Sequence, residues 1–373
     1  MSVTQIKPVT SQSDLMKFIR FQWTIYKNDP YWVPPLMMDR KKLLSKAKNP
    51  FFRHAEAEYF LAYRDNEIVG RIAAIKNDLH NSVHNDKVGF FGFFECINDQ
   101  AVANALFDTA KGWLKKRGLD SMRGPANPSS NDEYGLLIEG FDDSPRLLMT
   151  YNPPYYINLT ENYGLLKAKD LYAYKLEYGK AIKSDKLRRV AELAKKRYGL
   201  KISQMNMKDF KNELNKVKYV YNKAWAPNWG FVPLTSDEID AMAADLRPLA
   251  EPSLILFGEI NNELIGFALV LLDYNVAFKQ MNGRLFPFGF LKLFTAKKQI
   301  EWARVLTLGI IPEHQKKGLD AVFYLDIMER ARKIGIELGE ASWILEDNDM
   351  MNRGAKVLGG EVYKKYRIYE MPV

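Results

Sequence analysis

The stretch Gln315-Lys316-Lys317-Gly318 has the residue types and spacing that most directly imply chemistry. An apolar run from Val305 through Leu308, Gly309 and Ile310 leads into it and stops at Pro312, which cannot donate to a sheet ladder. Beyond it, Leu319, Asp320 and Ala321 open a segment of helical periodicity that ends near Ile334. A strand, a tight turn and a helix in this order aim the unpaired N–H groups of the helix start at one point, where an anion is stabilised. Lys316 and Lys317 add positive charge, and Gly318 lets a ligand approach the backbone closely. Read by itself, the segment fits both a phosphate-binding turn and an ordinary basic connection. His314, beside it, reads as a turn residue rather than a base.

A second polar constellation runs from Arg123 through Asn127 and Asn131 to Glu133, and is followed by Tyr151-Asn152-Pro153-Pro154-Tyr155. Loops beyond strand ends are where ligands sit in layered α/β folds. A carboxylate (Glu133) with amides (Asn127, Asn131, Asn152) and Tyr155 can bind a polar acceptor or activate an amine; a capped, turn-rich surface loop is the other reading. Residues 285–298 interleave Phe286, Phe288, Phe290 and Phe294 with Lys292, Lys297 and Lys298. Such a stretch suits peripheral contact with a membrane surface, the wall of an acyl-chain channel, or packing between repeats. His80 and His84 have helical metal-ligand spacing but no third ligand in view, and neighbouring Asn81, Asn85 and Asp86 mark a solvated loop, so no metal is expected. Cys96 reads as a small buried hydrophobe, since nothing around it would activate a thiol.

The chain is 373 residues long, enough for two domains, with 54 Lys+Arg against 45 Asp+Glu, a formal excess of +9. That excess favours anionic partners without choosing among phosphate-bearing cofactors, acidic lipids and nucleic acid. No Lys/Arg block or zinc-finger spacing points to nucleic acid. Hydrophobic residues at 47% exclude a disordered chain. The longest apolar stretch, Leu264 to Leu272, falls far short of the ~20 residues of a spanning helix. Met1 to Gln5 shows no basic-then-apolar leader, and a single cysteine allows no internal disulfide. A soluble, cytoplasmic protein is the expectation.

These residues are positioned by a duplicated architecture. Tyr59–Gly70 and Ile255–Gly266 each read as an apolar run, a tight turn (Asp65-Asn66, Asn261-Asn262) and a second apolar run, that is, a β-hairpin. Asn66 and Asn262 stand 196 residues apart, as do Asn152 and Asn348, Gly164 and Gly360, and Lys169 and Lys365. The spacing predicts strands near 3–9, 58–64, 67–75, 88–95, 120–124 and 169–177 in the first half, with helices at 12–27, 101–117 and 154–163. In the second half it predicts strands near 200–206, 254–260, 263–273, 303–311, 340–346 and 362–369, with helices at 208–224, 236–246, 319–334 and 348–358. A long polar loop is expected at 126–150 and an aromatic insertion at 275–303. A linker helix at 184–198 places the boundary near residue 180, dividing the chain into 1–180 and 181–373. Strands mixed with covering helices mean an α/β or α+β layered fold.

Leu308-x-Ile310-x-Pro312 followed by Gln315-x-x-Gly318 resembles the acetyl-CoA-binding motif of the GNAT N-acetyltransferase superfamily. Glu346-Asp347-Asn348 and Leu358-Gly359-Gly360 resemble that superfamily's later Asn…Leu-Gly-Phe segment. With the first half as a degenerate copy, the chain resembles bacterial tandem-GNAT acyltransferases. The resemblance implies two GNAT-like domains, each a mixed, mostly antiparallel sheet flanked by helices. It also implies acetyl-CoA or a longer acyl-CoA held by Leu308, Gly309, Ile310 and Gln315 through Ala321, with no metal. The activity implied is transfer of the acyl group to a small-molecule or lipid-like amine by direct attack. Glu346 and Asn348 are then candidates for the chemistry, and Tyr366 for the acid that protonates the thiolate, because Ala355 stands where many members have that tyrosine. Asp320 stands where Gly or Ala is usual. Aminoacyl transfer of the Fem type and a non-catalytic acyl-CoA-binding protein are the alternatives. After Phe94 the first half has Glu95-Cys96-Ile97-Asn98-Asp99 in place of a Gln-x-x-Gly turn, so CoA is not expected there.

Overall fold

The computed structural model describes residues 3–373; Met1 and Ser2, which open the first half, lie outside the described residues. The chain divides into two compact units. Unit 1 holds the chain up to Leu171 together with Ala277–Lys292 and Lys364–Val373, and unit 2 holds Tyr172–Val276 and Leu293–Tyr363.

In unit 1 the strands Gln5–Pro8, Ala55–Arg64, Glu67–Asn77 and Val88–Cys96 pair antiparallel in chain order. Val88–Phe90 then runs parallel to Ser121–Arg123, whose strand pairs antiparallel with Tyr369–Pro372. The helix Gln100–Lys115 starts where the Asp99 carboxylate accepts the N–H groups of Ala101 and Val102. Its Val102, Leu106, Phe107, Ala110 and Leu114 recur at helical spacing and are fully buried against Phe60, Ile72, Phe91 and Phe94.

Unit 2 repeats the plan. Lys201–Gln204, Ile255–Ile260, Glu263–Leu272 and Trp302–Ile310 pair antiparallel in order, and Trp302–Val305 then runs parallel to Leu338–Ala341. The duplication reaches local detail. Asp65, Asn66, Asn261 and Asn262 all have positive φ, as a tight hairpin turn requires. Each hairpin also carries a register shift at the same repeat position, between Ala62 and Tyr63 and between Gly258 and Glu259. Each half is a mixed, mostly antiparallel sheet flanked by helices.

Three places depart from the expectations. Residues 126–150 are not a structureless loop: Ala126–Asn127 pairs with Glu133–Tyr134, and Leu136–Glu139 pairs with Lys365–Arg367, which satisfies backbone groups that would otherwise be buried unpaired. Asp78–His84 is a helix capped by Asn77, and His80 is buried rather than solvated. Its ring packs edge-on against Phe90. The insertion contains two short helices, Asn275–Met281 and Leu291–Ala296. Among the described residues no helix is long and apolar enough to cross a membrane.

Candidate functional site

Unit 2 presents a gap between two parallel strands. Trp302–Ile310 and Leu338–Leu345 share a register that ends at Val305 and Ala341, beyond which the strands continue without pairing with each other. A bulge at Leu306, opposite the junction of Leu269 and Val270, bends the first strand at the point of divergence. Val305 through Leu308 are consequently only partly buried, although their strand has neighbours on both sides. The Thr307 hydroxyl is buried with no protein partner. Backbone groups along such a gap can pair with an extended ligand arm as an added strand would.

The turn follows at the end of this strand. Gln315 Nε2 donates to the Ile310 carbonyl at 2.9 Å, tying the turn back to the strand. Lys316 and Gly318 both have positive φ, and Gly318 is the N-cap of the helix Leu319–Lys333 with no side-chain cap. A Cβ at Gly318 would lie 2.8 Å from Val190 Cγ1, so glycine is required here on both counts. Lys317 Nζ donates to the Glu313 carbonyl at 2.8 Å and lies 5.7 Å from the centre of the Tyr198 ring. Asp320 stands in the first turn of this helix, and burial raises the pKa of its carboxyl group above the ordinary value. An acidic side chain thus stands beside the helix start, and Leu319 is buried.

Of the residues considered for chemistry, Glu346 is half-buried just past the Leu338–Leu345 strand, and Asn348 caps the helix Asp349–Val357 by accepting from the Met351 N–H at 3.2 Å. Ala355 is buried against Tyr174 and Ile344. Tyr366 is wholly buried and belongs to unit 1, whereas Glu346 and Asn348 belong to unit 2. Sequence reasoning passed over Tyr324, one helical turn after Asp320, whose hydroxyl lies 3.8 Å from Met351 Sδ and whose phenol burial pushes up. It also passed over Arg304, Glu340, Ser342 and Tyr363, which form a buried network. Ser342 Oγ bridges Arg304 Nε at 2.9 Å and Glu340 Oε1 at 2.6 Å, and the Tyr363 hydroxyl donates to Glu340 Oε2.

In unit 1 the equivalent gap is closed. Phe93 has positive φ within a bulge, and its N–H donates to Asn127 Oδ1 at 2.5 Å. A Cβ at Gly92 would fall 1.7 Å from the Ala126 carbonyl oxygen, so backbone lies directly against backbone. Beside this closure lies a small, partly open cleft walled by Tyr26, Trp32, Phe93 and Tyr151. Four charged residues line it: Arg40, Arg71, Glu95 and Glu133. Glu95 accepts from Gln22 Nε2 at 2.7 Å and Arg71 at 3.3 Å on one oxygen, and from Tyr26 at 3.0 Å and Tyr156 at 2.8 Å on the other. All its acceptor positions are taken, so it organises the cleft floor. Glu133 pairs with Arg40 and accepts from Asn127 Nδ2 at 3.4 Å. Its side chain keeps 21% exposure, against 6% for Glu95.

Of the acceptor-site residues taken from the sequence, Asn127, Glu133 and Asn152 line this cleft and Asn131 and Tyr155 do not. Asn152 is spent on backbone: it accepts from the Leu137 N–H at 2.7 Å and donates to the Leu137 carbonyl at 3.1 Å. Tyr155 donates to the Cys96 carbonyl at 2.8 Å, and burial pushes the Cys96 thiol far up. Arg40, Arg71, Glu95 and Tyr26 were missed because they come from four separate elements. The one visible signal was a charged residue, Glu95, in the otherwise apolar strand Val88–Cys96. Among the described residues no group of His, Cys, Asp or Glu side chains is arranged to hold a metal.

No protein-family model matches the chain. It is 35% identical over 376 residues to the bacterial ceramide synthase of Caulobacter vibrioides (strain NA1000 / CB15N), spanning 97% of this chain and 96% of that protein. It is 34% identical over 374 residues to protein YghO of Escherichia coli (strain K12), spanning 99% and 95%. Among solved structures, a tandem GNAT protein from the clavulanic acid biosynthesis pathway aligns with a TM-score of 0.58 at 12% identity, covering 99% of this chain and 98% of that one. A GCN5-related N-acetyltransferase from Sphaerobacter thermophilus aligns with a TM-score of 0.52 at 11% identity, covering 99% and 95%. The chain belongs to the family of the Caulobacter bacterial ceramide synthase and YghO, and it is built as a tandem of GNAT folds.

Proposed function

We propose that the protein is an acyl-CoA-dependent N-acyltransferase whose acceptor is a long-chain amine. The observation that carries this reading is the pairing, in unit 2 alone, of an open strand gap at Val305–Leu308 with a helix start at Gly318 free of a side-chain cap. The gap suits the extended arm of a thioester, and the turn suits its pyrophosphate, with Lys316 and Lys317 alongside. A ceramide is the N-acyl amide of a long-chain amino alcohol, so the named relative favours a long acyl group and an amino-alcohol acceptor over acetyl transfer.

In the reaction the amine nitrogen bonds to the thioester carbonyl carbon and the C–S bond breaks. A backbone N–H in the gap polarises the carbonyl oxygen. The proton on nitrogen passes to water or a carboxylate, for which Glu346 is the candidate in unit 2, and Tyr324 is the phenol available to protonate the departing thiolate. Holding the two reactants together supplies much of the rate in such transfers. The unit 1 cleft, with Glu133 and Asn127, has polar groups suited to an amine head group. Incubating the protein with palmitoyl-CoA and sphinganine tests the reading: amide by mass spectrometry with matching thiol release supports it. Tight CoA binding with no amide from any of a panel of long-chain amines would favour a non-catalytic binding protein instead.

A further inference from the structure

From Asn275 to Ile300 the chain has no acidic residue and five basic ones, Lys279, Arg284, Lys292, Lys297 and Lys298. The chain has 21 phenylalanines; among the described residues the exposed ones are Phe286, Phe288, Phe290 and Phe294, all in this segment. Phe286, Phe288 and Phe294 are 66%, 73% and 75% exposed, and Leu291 is 49% exposed. Single exposed apolar side chains need no explanation, but five large ones within nine residues form a patch that water disfavours.

The base of this segment is fixed. Within unit 1, Trp23 Nε1 donates to Asn282 Oδ1 at 2.7 Å, and the Met37 N–H donates to the Gly283 carbonyl at 3.0 Å. Lys279 Nζ donates to the Pro30 carbonyl. The tip is a compact turn: the Phe290 N–H donates to the Leu285 carbonyl at 2.9 Å, and a Cβ at Gly289 would lie 2.1 Å from the Arg284 carbonyl oxygen. Met38, next in the chain to the anchoring Met37, is 54% exposed. The aromatic side chains are therefore presented from an ordered support.

We infer that residues 284–298 form a docking surface for an anionic lipid bilayer, with Phe286, Phe288, Phe290, Leu291 and Phe294 entering the headgroup–acyl boundary and Arg284 and Lys298 facing the acidic headgroups. A basic, acid-free segment around exposed aromatics has the charge complementarity for such a surface. A soluble protein partner would be expected to meet a patch of mixed charge. This inference is independent of the acyl-transfer reading, since it needs neither CoA nor turnover.

Flotation of the purified full chain with vesicles tests it. Binding to phosphatidylglycerol vesicles, weakened by salt and far weaker on phosphatidylcholine, is the expected result. Phe288→Asp with Phe294→Asp should reduce that binding by about tenfold or more while leaving CoA binding intact. In a Phe288→Trp variant, fluorescence should be quenched by lipids brominated on the acyl chain. No flotation of the wild type, equal flotation of the double variant, or unquenched tryptophan would each overturn the inference. So would a concentration-dependent dimer that the double variant abolishes, because a second copy would then cover the patch.

Discussion

The Phe93 N–H donates to Asn127 Oδ1 at 2.5 Å, at the place where the first half of the duplicated fold is closed. It holds the segment after Gly124 against the bulge of the Val88–Cys96 strand, filling the space that stays open beside Val305–Leu308 in the second half. The first half thereby lacks such a gap and carries a charged cleft, with Asn127 bridging the closure to Glu133.

Asp320 places a carboxyl group in the first turn of the helix whose start is proposed to receive a pyrophosphate. Asp320→Asn should tighten CoA binding by roughly two- to fivefold, the effect of removing one negative charge at a helix start. Calorimetric titration of both proteins checks this; weaker binding by the variant would mean that the carboxylate supports the ligand rather than competing with it.

Glu133 is the cleft carboxylate that retains access while Glu95 is fully engaged. Glu133→Gln should raise the acceptor KM by about tenfold while leaving CoA affinity unchanged, the cost of one charge-assisted hydrogen bond. Steady-state kinetics with the amine varied at saturating acyl-CoA makes the measurement. An unchanged acceptor KM removes the cleft from acceptor binding.

Burial keeps the Tyr324 phenol protonated, the form needed to donate to a thiolate. Tyr324→Phe should lower kcat by roughly a hundredfold with little change in acyl-CoA KM. A variant with full kcat would assign that proton to water.

His80 offers a pH test of the fold. Burial holds its pKa down to about 3 from the model-peptide value of 6.5, with His84 and Arg123 lowering it further and Glu370 opposing them. Asp86 Oδ2 stands 3.4 Å from its Nε2. A depressed histidine pKa means the unfolded chain binds the extra proton between these values, so stability falls as pH drops from about 6.5 toward 3. The loss is on the order of a few kcal/mol. Urea unfolding across that range should show the slope in the wild type and a shallower one in His80→Phe; identical slopes would trace the acid sensitivity to other groups.

Much of this was legible in the chain. Local signals carried the hairpins at Asp65-Asn66 and Asn261-Asn262 and the turn at Gly318, because each depends on a few adjacent residues that tolerate positive φ. The cleft was not legible. Arg40 and Glu133 are 93 residues apart and Arg71 and Glu95 belong to different strands, so their pairing exists only once the register of the sheet is set. Nor could periodicity distinguish a packed insertion from an exposed one at 285–298, since both call for the same aromatic residues.

The Gln315–Gly318 turn of the second half is proposed as the one place where the chain holds CoA. Calorimetric titration of CoA into the wild type and into Gly318→Glu tests it most directly, with circular dichroism to verify that the variant is folded. One CoA per chain bound by the wild type, and none measurable in a folded Gly318→Glu variant, is the result expected from a side chain and a charge placed at the helix start. Undiminished binding by that variant, or two equivalents bound by the wild type, would contradict the account.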